Sequence, residues 1–387
     1  MLMKHRTAAL RALPPLIAAA AVCLLLLWQH TAALDVLCRL VVREVGFLLP
    51  VPATQSAAAA PAETDRPAAE AAIPPASAAS EPSVTAASKA EPANAAARLT
   101  ATPDDIAKLT AEAKQTDTGE KAGAIRTQTF TTEGMTDRSG AVRIKNINKT
   151  RIDPDALLQK KADLVVPDDN PCVLIFHTHT TESYQYLDRG YYTAAVPTRD
   201  KDPGRNMVRV GDEICAELAR SGFQAIHDTE IHDARYTGAY AHSRASVLAY
   251  QKKYPSLQVL LDIHRDAIQQ KDGTKIKPTA TINGKKAAQI MIISGCQEAG
   301  NAVTDFPDWR QNLVFALQLQ QQLEAAFPGL TRPLFFAPRR YNMHLSHCAL
   351  LIEIGSDSNT LEEAAYSGRL LGRALGNLLK KYRTENA

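Results

Sequence analysis

The sequence predicts an α/β fold with a mostly parallel sheet flanked by helices, preceded by a transmembrane helix and a disordered tether. Three observations support this prediction. Short apolar runs, typical of strands buried on both faces, recur in the second half of the chain. Amphipathic helical patterns separate these runs, as expected for repeated strand–helix units. The first half instead holds one long apolar run and then a stretch nearly free of large apolar residues.

Charge and cysteine content exclude several classes of protein. The 387 residues include 44 basic and 41 acidic side chains, for a net charge of +3, and they show no Lys/Arg stripe. We therefore expect no nucleic-acid partner. The six cysteines form no C-x-x-C pair, which excludes a zinc ribbon and a thioredoxin-like redox site. We expect buried thiols, with a disulfide between Cys172 and Cys348 as the alternative.

Segment 1–51 is predicted to hold a cytoplasmic N-terminus, a membrane anchor and a juxtamembrane stretch. The run Ala12–Trp28 is uncharged and just long enough to span a bilayer. Basic residues precede it, so the remainder should lie outside the cytoplasm, as in a single-pass protein of the cell membrane. A cleaved signal peptide is the alternative, and a retained anchor is favoured. The stretch Val36–Val51 carries charges and resembles an amphipathic surface segment.

Three further segments follow the anchor. Segment 52–99 is rich in Ala, Pro, Ser, Thr and Glu and has almost nothing to bury, so we predict a disordered linker. Segment 100–155 is polar and is predicted to connect the linker to the main domain, with one helix and a short strand region. Segment 156–387 is predicted to be the catalytic α/β domain.

The elements of the main domain follow from apolar patterns and their terminators. Helices should end at Ser221-Gly222, Pro255 and Pro328-Gly329, and Asn283-Gly284 should join a hairpin. The predicted strands are Cys172–Phe176, Phe223–Ile226, Leu257–Ile263, Thr279–Ile282, Ala288–Ser294 and Leu350–Ile354. The predicted helices are Pro103–Lys114, Asn206–Arg220, Tyr240–Tyr254, Trp309–Phe327 and Leu361–Tyr382.

Three polar clusters interrupt apolar runs where strands end. They are the segment from His177 to Tyr184, the segment from Asp262 to Asp266, and Glu353. Core packing alone gives no reason for polar side chains at these points. Ligands of parallel sheets bind at the carboxyl ends of the strands, so the clusters predict one shared site.

The residue types in these clusters suit a catalytic zinc ion. Such sites commonly use two imidazoles and a carboxylate and leave one position open for water. His179 and Glu182 have H-x-x-E spacing, and His264 supplies the second imidazole. Zinc lowers the pKa of its water and polarises a carbonyl, and Glu353 is placed to move the proton. The helix-borne signature H-E-x-x-H is absent from the sequence.

Several neighbours have open roles. His177 is an alternative to His179 as ligand, or it contacts the ligands or substrate. Arg265 and Asp266 are interpreted either as an ion pair that orients the neighbouring imidazole or, for Arg265, as a binder of a substrate carboxylate.

Two histidines, His344 and His347, lie in the loop before the last strand. A direct role for them would be substrate binding or electrophilic assistance.

The same residues carry a family resemblance. The stretches VLIFHTHTTESY, LLDIHRDA and LLIEIGSDSNTLEEA resemble the stage II sporulation protein P family over Val173–Tyr382. That family is implicated in peptidoglycan degradation during engulfment in endospore-forming bacteria. It is similar to zinc-dependent N-acetylmuramoyl-L-alanine amidases, so the resemblance implies an amidase or zinc-hydrolase-like fold. It also implies peptidoglycan as substrate and a membrane-protein partner of the engulfment machinery.

Carried over residue by residue, the resemblance implies zinc binding at His179, Glu182 and His264 and catalysis by Glu353. The spacing departs from the amidases, in which the ligand glutamate lies further from the first histidine. This departure leaves open the choice between His177 and His179. Cleavage of another peptide bond or of the glycan, and a non-enzymatic scaffold that binds peptidoglycan, are the alternative functions.

Overall fold

A computed structural model of the chain describes residues 95–117, 119–298 and 300–383. In these three ranges no helix is both long and apolar enough to cross a membrane. The predicted segment 1–51, with its anchor, and nearly all of the linker 52–99 lie outside the described residues.

Helices and strands alternate through most of the described chain. The helices are α1 (Ala95–Thr100), α2 (Asp104–Thr116), α3 (Pro154–Leu158), α4 (Met207–Arg220), α5 (Ala239–Lys253), α6 (Trp309–Ala326) and α7 (Leu361–Leu379). The strands are β1 (Lys121–Gln128), β2 (Asp137–Ser139), β3 (Val142–Asn146), β4 (Val173–Phe176), β5 (Tyr191–Thr193), β6 (Ala225–His227), β7 (Val259–Asp266), β8 (Lys275–Ile282), β9 (Lys285–Ala288), β10 (Ile290–Gly295), β11 (Leu334–Ala337) and β12 (Cys348–Ser356).

The larger sheet has eight strands in the order β2-β3-β11-β10-β12-β7-β4-β6. Five of its seven pairings are parallel, and β2–β3 and β10–β12 are antiparallel. Strands β4, β7 and β10 are buried along their whole length, as their apolar runs predict. The fold is therefore mixed α/β.

The smaller sheet has the order β5-β1-β8-β9. Its β8–β9 hairpin turns at Asn283 and Gly284, whose φ values of 49° and 77° suit this pair of residues. The predicted strand Ala288–Ser294 is corrected here, because it divides between the two sheets. Gln289 marks the division, and its side-chain amide exchanges hydrogen bonds of 2.6 and 2.8 Å with the backbone of Phe130.

The polar segment 100–155 contributes to both sheets. Strand β1 pairs in parallel with β8, and β3 pairs in parallel with β11. Only one residue of β1 is buried, so a periodic apolar pattern is missing there. The segment therefore belongs to the same folded unit as the strands that follow, although the sequence predicts a connecting region.

Helices α4 and α7 pack closely together against the large sheet. Asn206 caps α4 by accepting from the N–H of Val208, and Thr360 and Glu363 form a capping box on α7. A glycine on α7 lets the backbones approach, since a Cβ at Gly372 would lie 2.7 Å from a carbonyl oxygen of α4.

Candidate active site

The three polar clusters meet at one edge of the large sheet. Strand β7 lies between β4 and β12 and runs parallel to both. Phe176, the last residue of β4, is in register with Asp262, and Glu353 of β12 is in register with His264. The sequence therefore correctly placed these clusters together.

His179 and Glu182 lie on a tight turn directly after β4. The N–H of Glu182 donates to the carbonyl of His179 at 3.1 Å, which closes the H-x-x-E spacing. Both residues are buried, and Nδ1 of His179 has no hydrogen-bond partner. The imidazole rings of His179 and His264 meet edge to face, with their centroids 5.3 Å apart. Burial lowers the pKa of His179 to about 4, and the charge of His264 acts in the same direction.

His264 lies between two carboxylates. Its Nδ1 is 3.6 Å from Oε2 of Glu182, and its Nε2 is 2.7 Å from Oδ1 of Asp262. The second contact is short, but its direction falls outside hydrogen-bond geometry, so Nε2 has no aligned partner. Burial alone would lower the pKa of His264, but the Asp262 and Glu182 carboxylates raise it well above its ordinary value.

Two arginines hold the Glu182 carboxylate in place. The backbone N–H of Arg265 donates to Oε2 at 3.2 Å, and the guanidinium groups of Arg265 and Arg199 lie 3.7 and 3.6 Å from Oε1. Burial raises the pKa of Glu182, but the charges of Arg265, His264 and His179 outweigh it and keep the carboxylate ionised.

Glu353 is a carboxylate without a partner next to this cluster. Its Oε2 is buried and accepts no hydrogen bond, although the residue as a whole is partly exposed. Burial raises its pKa to about 8, and the charges of Asp266 and Glu182 act in the same direction. The charges of His264 and Arg332 oppose this rise in pKa but do not cancel it. A buried carboxyl group that makes no structural hydrogen bond is free to exchange a proton with a substrate.

The donor set around His264 suits a zinc ion chemically. Two imidazoles and an ionised carboxylate are the ligand types of catalytic zinc sites, and Nδ1 of His179 has no hydrogen-bond partner. The 3.6 Å between His264 Nδ1 and Glu182 Oε2 agrees with two atoms that each lie about 2 Å from one ion. Within the ranges that the structure describes, no group of three His, Cys, Asp or Glu side chains is already gathered around a common point.

His177 is placed away from the other ligand candidates. Its Nδ1 donates to the carbonyl of Ile263 at 2.9 Å, and its Nε2 lies 2.9 Å from Nε2 of His227. Both ring nitrogens of His177 therefore have partners. The residue is also completely buried, so substrate cannot reach it. In this arrangement His179 is the available ligand, and His177 supports the backbone of β7 next to His264.

The predicted ion pair between Arg265 and Asp266 is wrong. Consecutive residues of a strand point to opposite faces, and the two side chains have separate partners. Arg265 donates to carbonyl groups of the neighbouring loops at 2.7 and 3.2 Å, whereas Asp266 pairs with Arg332 at 2.8 Å. Arg265 is buried and holds Glu182, so it is not free to bind a substrate carboxylate.

The two loop histidines contact other parts of the protein. The ring of His344 packs edge to face on Phe306, with the centroids 6.5 Å apart. His347 lies 2.6 Å from Asp163 and 3.7 Å from Asp308. Phe306, Asp163 and Asp308 all lie outside the candidate site.

The sequence did not predict a role for four residues that lie in or around the site. Asp262 contacts His264, and its other carboxylate oxygen accepts from the hydroxyl of Thr178 at 2.6 Å. Arg199, Asp233 and Arg332 form buried or half-buried ion pairs around the site. Asp262 shares a cluster and a strand face with His264, which was an available signal. The partners of the other three residues are distant in sequence.

The cysteines of the described ranges are free thiols. Cys172, Cys296 and Cys348 are buried, and Cys215 is partly buried. Burial raises the pKa of Cys172 to about 11, so this thiol stays protonated and unreactive. The alternative of a disulfide between Cys172 and Cys348 is not what the structure shows.

The fold and this site define a mixed α/β protein with two histidines and two glutamates at the carboxyl edge of its sheet. Residues 64–376 match the family stage II sporulation protein P (SpoIIP). The chain belongs to this family. It is 31% identical over 207 residues to the stage II sporulation protein P of Bacillus subtilis (strain 168). That match covers 50% of this chain and 48% of the relative, so it spans about half the length of the curated protein.

Solved structures of amidases show a more distant similarity. The CwlD amidase from Clostridioides difficile, solved in complex with the GerS lipoprotein, is 12% identical with a TM-score of 0.34, covering 55% of this chain and 98% of that one. An N-acetylmuramoyl-L-alanine amidase from Clostridium difficile 630 is 16% identical with a TM-score of 0.32, covering 56% and 100%. AmiC2 of Nostoc punctiforme is 11% identical with a TM-score of 0.32, covering 55% and 96%. These proteins are too distant for their activities to be transferred to this chain.

Proposed function

We propose that this protein is a zinc-dependent peptidoglycan hydrolase, an N-acetylmuramoyl-L-alanine amidase that acts in engulfment during endospore formation. Membership of the SpoIIP family supports the biological role. The observation that carries the chemistry is the cluster at the sheet edge, where the imidazoles of His179 and His264 meet and the Glu182 carboxylate lies 3.6 Å from Nδ1 of His264.

His179, Glu182 and His264 would hold the zinc ion. When bound, zinc would polarise the scissile carbonyl and lower the pKa of an attacking water. Asp262 lies against the far nitrogen of His264, as outer carboxylates do in zinc sites, and fixes the ring orientation. Arg265 and Arg199 keep the Glu182 carboxylate ionised and oriented.

Glu353 would move the protons of the reaction. Its Oε2 accepts no hydrogen bond from the protein, and the charge of a bound zinc ion would lower the pKa that burial raises. In the ionised form Glu353 would accept a proton from water and pass it to the leaving amine. Its register with His264 places it one strand away from the proposed zinc ligands.

The test is digestion of purified peptidoglycan by the full chain, with and without a chelator, and identification of the products by mass. Amidase activity releases free stem peptides and leaves glycan strands intact, and it stops on chelation. Glycan cleavage that survives chelation would contradict the proposal. Absence of any cleavage by zinc-loaded protein would favour the scaffold.

Localisation and partners are part of the same proposal. A retained anchor at 12–28 and the linker 52–99 would place the domain outside the cytoplasm and within reach of the wall. We also propose a membrane-protein partner of the engulfment machinery, because a hydrolase active on the cell's own wall needs spatial control.

A further inference from the structure

A turn with unusual backbone geometry lies beside the candidate site. Tyr341 and Asn342 have φ values of 42° and 57°, in the left-handed region that residues other than glycine rarely adopt. The Asn342 amide holds this turn by donating to the carbonyl of Tyr240 at 3.0 Å and to the hydroxyl of Ser243 at 3.2 Å. Such conformations persist only where the surroundings enforce them, and they cluster at functional sites.

Buried hydrogen bonds link this turn to the proposed zinc ligands. The hydroxyl of Ser243 lies 2.7 Å from that of Thr178, which in turn donates to Asp262 at 2.6 Å. Asp262 contacts His264. The position of the turn is therefore fixed relative to the site.

A row of aromatic rings also joins the turn to the site. Tyr341 stacks on Tyr240 with centroids 5.2 Å apart, and Tyr240 meets His179 edge to face at 5.7 Å. Both tyrosines keep some exposed surface. Burial raises the pKa of Tyr341, and the charge of Glu353 adds to this effect, whereas the charge of Arg339 and a hydrogen bond with its side chain oppose it.

The turn also presents a cation with no charged partner. The guanidinium of Arg339 donates to the carbonyl of Pro338 at 3.1 Å, and across the described ranges it forms no ion pair with a carboxylate. The residue is partly exposed. A Cβ at Gly295 would lie 2.0 Å from its carbonyl oxygen, so this glycine lets the backbone of Arg339 pack against the end of β10.

We propose that Arg339 and Tyr341, on the turn beside the candidate site, form a substrate subsite that binds a carboxylate of the peptide arm. This inference rests on the proposed function, and it names what the site selects. A guanidinium fork binds carboxylates through paired hydrogen bonds, and the adjacent phenol adds a further donor. Arg265 cannot bind a substrate carboxylate because its guanidinium is paired with Glu182. We assign this role to Arg339 instead.

The test compares two peptide probes on the full, zinc-loaded chain in detergent. One is L-alanyl-γ-D-glutamyl-L-lysine with a free α-carboxylate on its second residue, and the other carries a carboxamide there. Both are amidated at the C-terminus, and neither contains the scissile amide, so calorimetry measures binding without turnover. The variants are Arg339→Gln, Arg339→Lys and Arg235→Gln, which removes an equal charge from a different loop near the site.

The native chain should bind the carboxylate probe about ten- to hundredfold more tightly than the carboxamide. Arg339→Gln should abolish this preference and leave carboxamide affinity unchanged, Arg339→Lys should keep part of it, and Arg235→Gln should keep it all. A native chain without preference, or a preference that survives Arg339→Gln, would overturn the subsite. Equal losses for both probes with a lower melting temperature would show a structural role instead.

Failure of the proposed function would be seen separately. A chain that cleaves no peptidoglycan amide and still discriminates the probes through Arg339 would keep the subsite and lose the amidase assignment. An active amidase without that discrimination would keep the function and lose the subsite.

Discussion

Replacing Glu353 by glutamine separates a proton-transfer role from a structural one. Glutamine has the same shape but cannot accept a proton at neutral pH. We expect the amide-cleavage rate to fall by about a hundredfold to ten-thousandfold, the usual contribution of general acid–base assistance. The zinc content should stay at the native level, because the glutamate lies one strand away from the ligands.

The stability of this variant follows from the raised pKa of Glu353. In the unfolded chain the carboxyl group ionises near 4.5, whereas in the folded protein without metal it holds its proton to about 8. Folding at neutral pH must therefore take up a proton, which costs at most about 3 kcal/mol. The cost is absent below the unfolded pKa and grows as the pH rises toward the folded pKa. Since Oε2 loses no hydrogen bond, glutamine removes this cost, and the metal-free variant should melt no lower than the native protein.

The assay measures turnover on purified peptidoglycan, metal content and thermal unfolding of the metal-free chain. Glu120→Gln, an exposed glutamate outside the site, is the matched control and should behave like the native chain. A Glu353→Gln variant with a lowered melting temperature and substantial remaining turnover would refute the reasoning and assign the residue a structural role.

Four other variants test the remaining parts of the picture. Native protein should contain near-stoichiometric zinc, and His264→Ala should lose it by metal analysis; retained zinc and activity would discard this ligand set. Asp262→Asn should weaken zinc binding about ten- to hundredfold in a chelator competition, because the Asp262 carboxylate orients the proposed ligand His264. An unchanged zinc affinity would contradict that role. Gly211→Ala should lower the free energy of unfolding by about 1–3 kcal/mol in denaturant titrations, because its Cβ would lie 2.4 Å from Nε2 of His227. An unchanged unfolding midpoint would contradict this, because it would mean that the rings of His177 and His227 move aside at little cost. Scrambling residues 52–97 at constant length should leave turnover on isolated peptidoglycan unchanged, and a large loss would mean that this segment folds onto the domain.

The sequence alone determined the elements with strong local signals. Apolar runs located β4, β7 and β12 because strands buried on both faces must be continuously apolar. Helix α4 begins one residue after its predicted start, Asn206, and the Asn283-Gly284 pair forms its predicted turn. The three polar clusters also predicted their own meeting point, because the carboxyl ends of neighbouring parallel strands share one edge.

Only the tertiary structure decided the features that depend on partners distant in sequence. Strand β1 has a single buried residue and lacks a clear apolar period, so its place depends on backbone pairing with β5 and β8. Strand β3 buries only Val142 and Ile144, a pattern too short to identify a strand from sequence. The partner of Asp266 is Arg332, 66 residues away, rather than its neighbour Arg265. Side-chain alternation along a strand forbids the local pair, whereas the fold brings the distant one within reach. In the same way the proposed role of Arg339 depends on the turn that Asn342 holds against Tyr240 and Ser243.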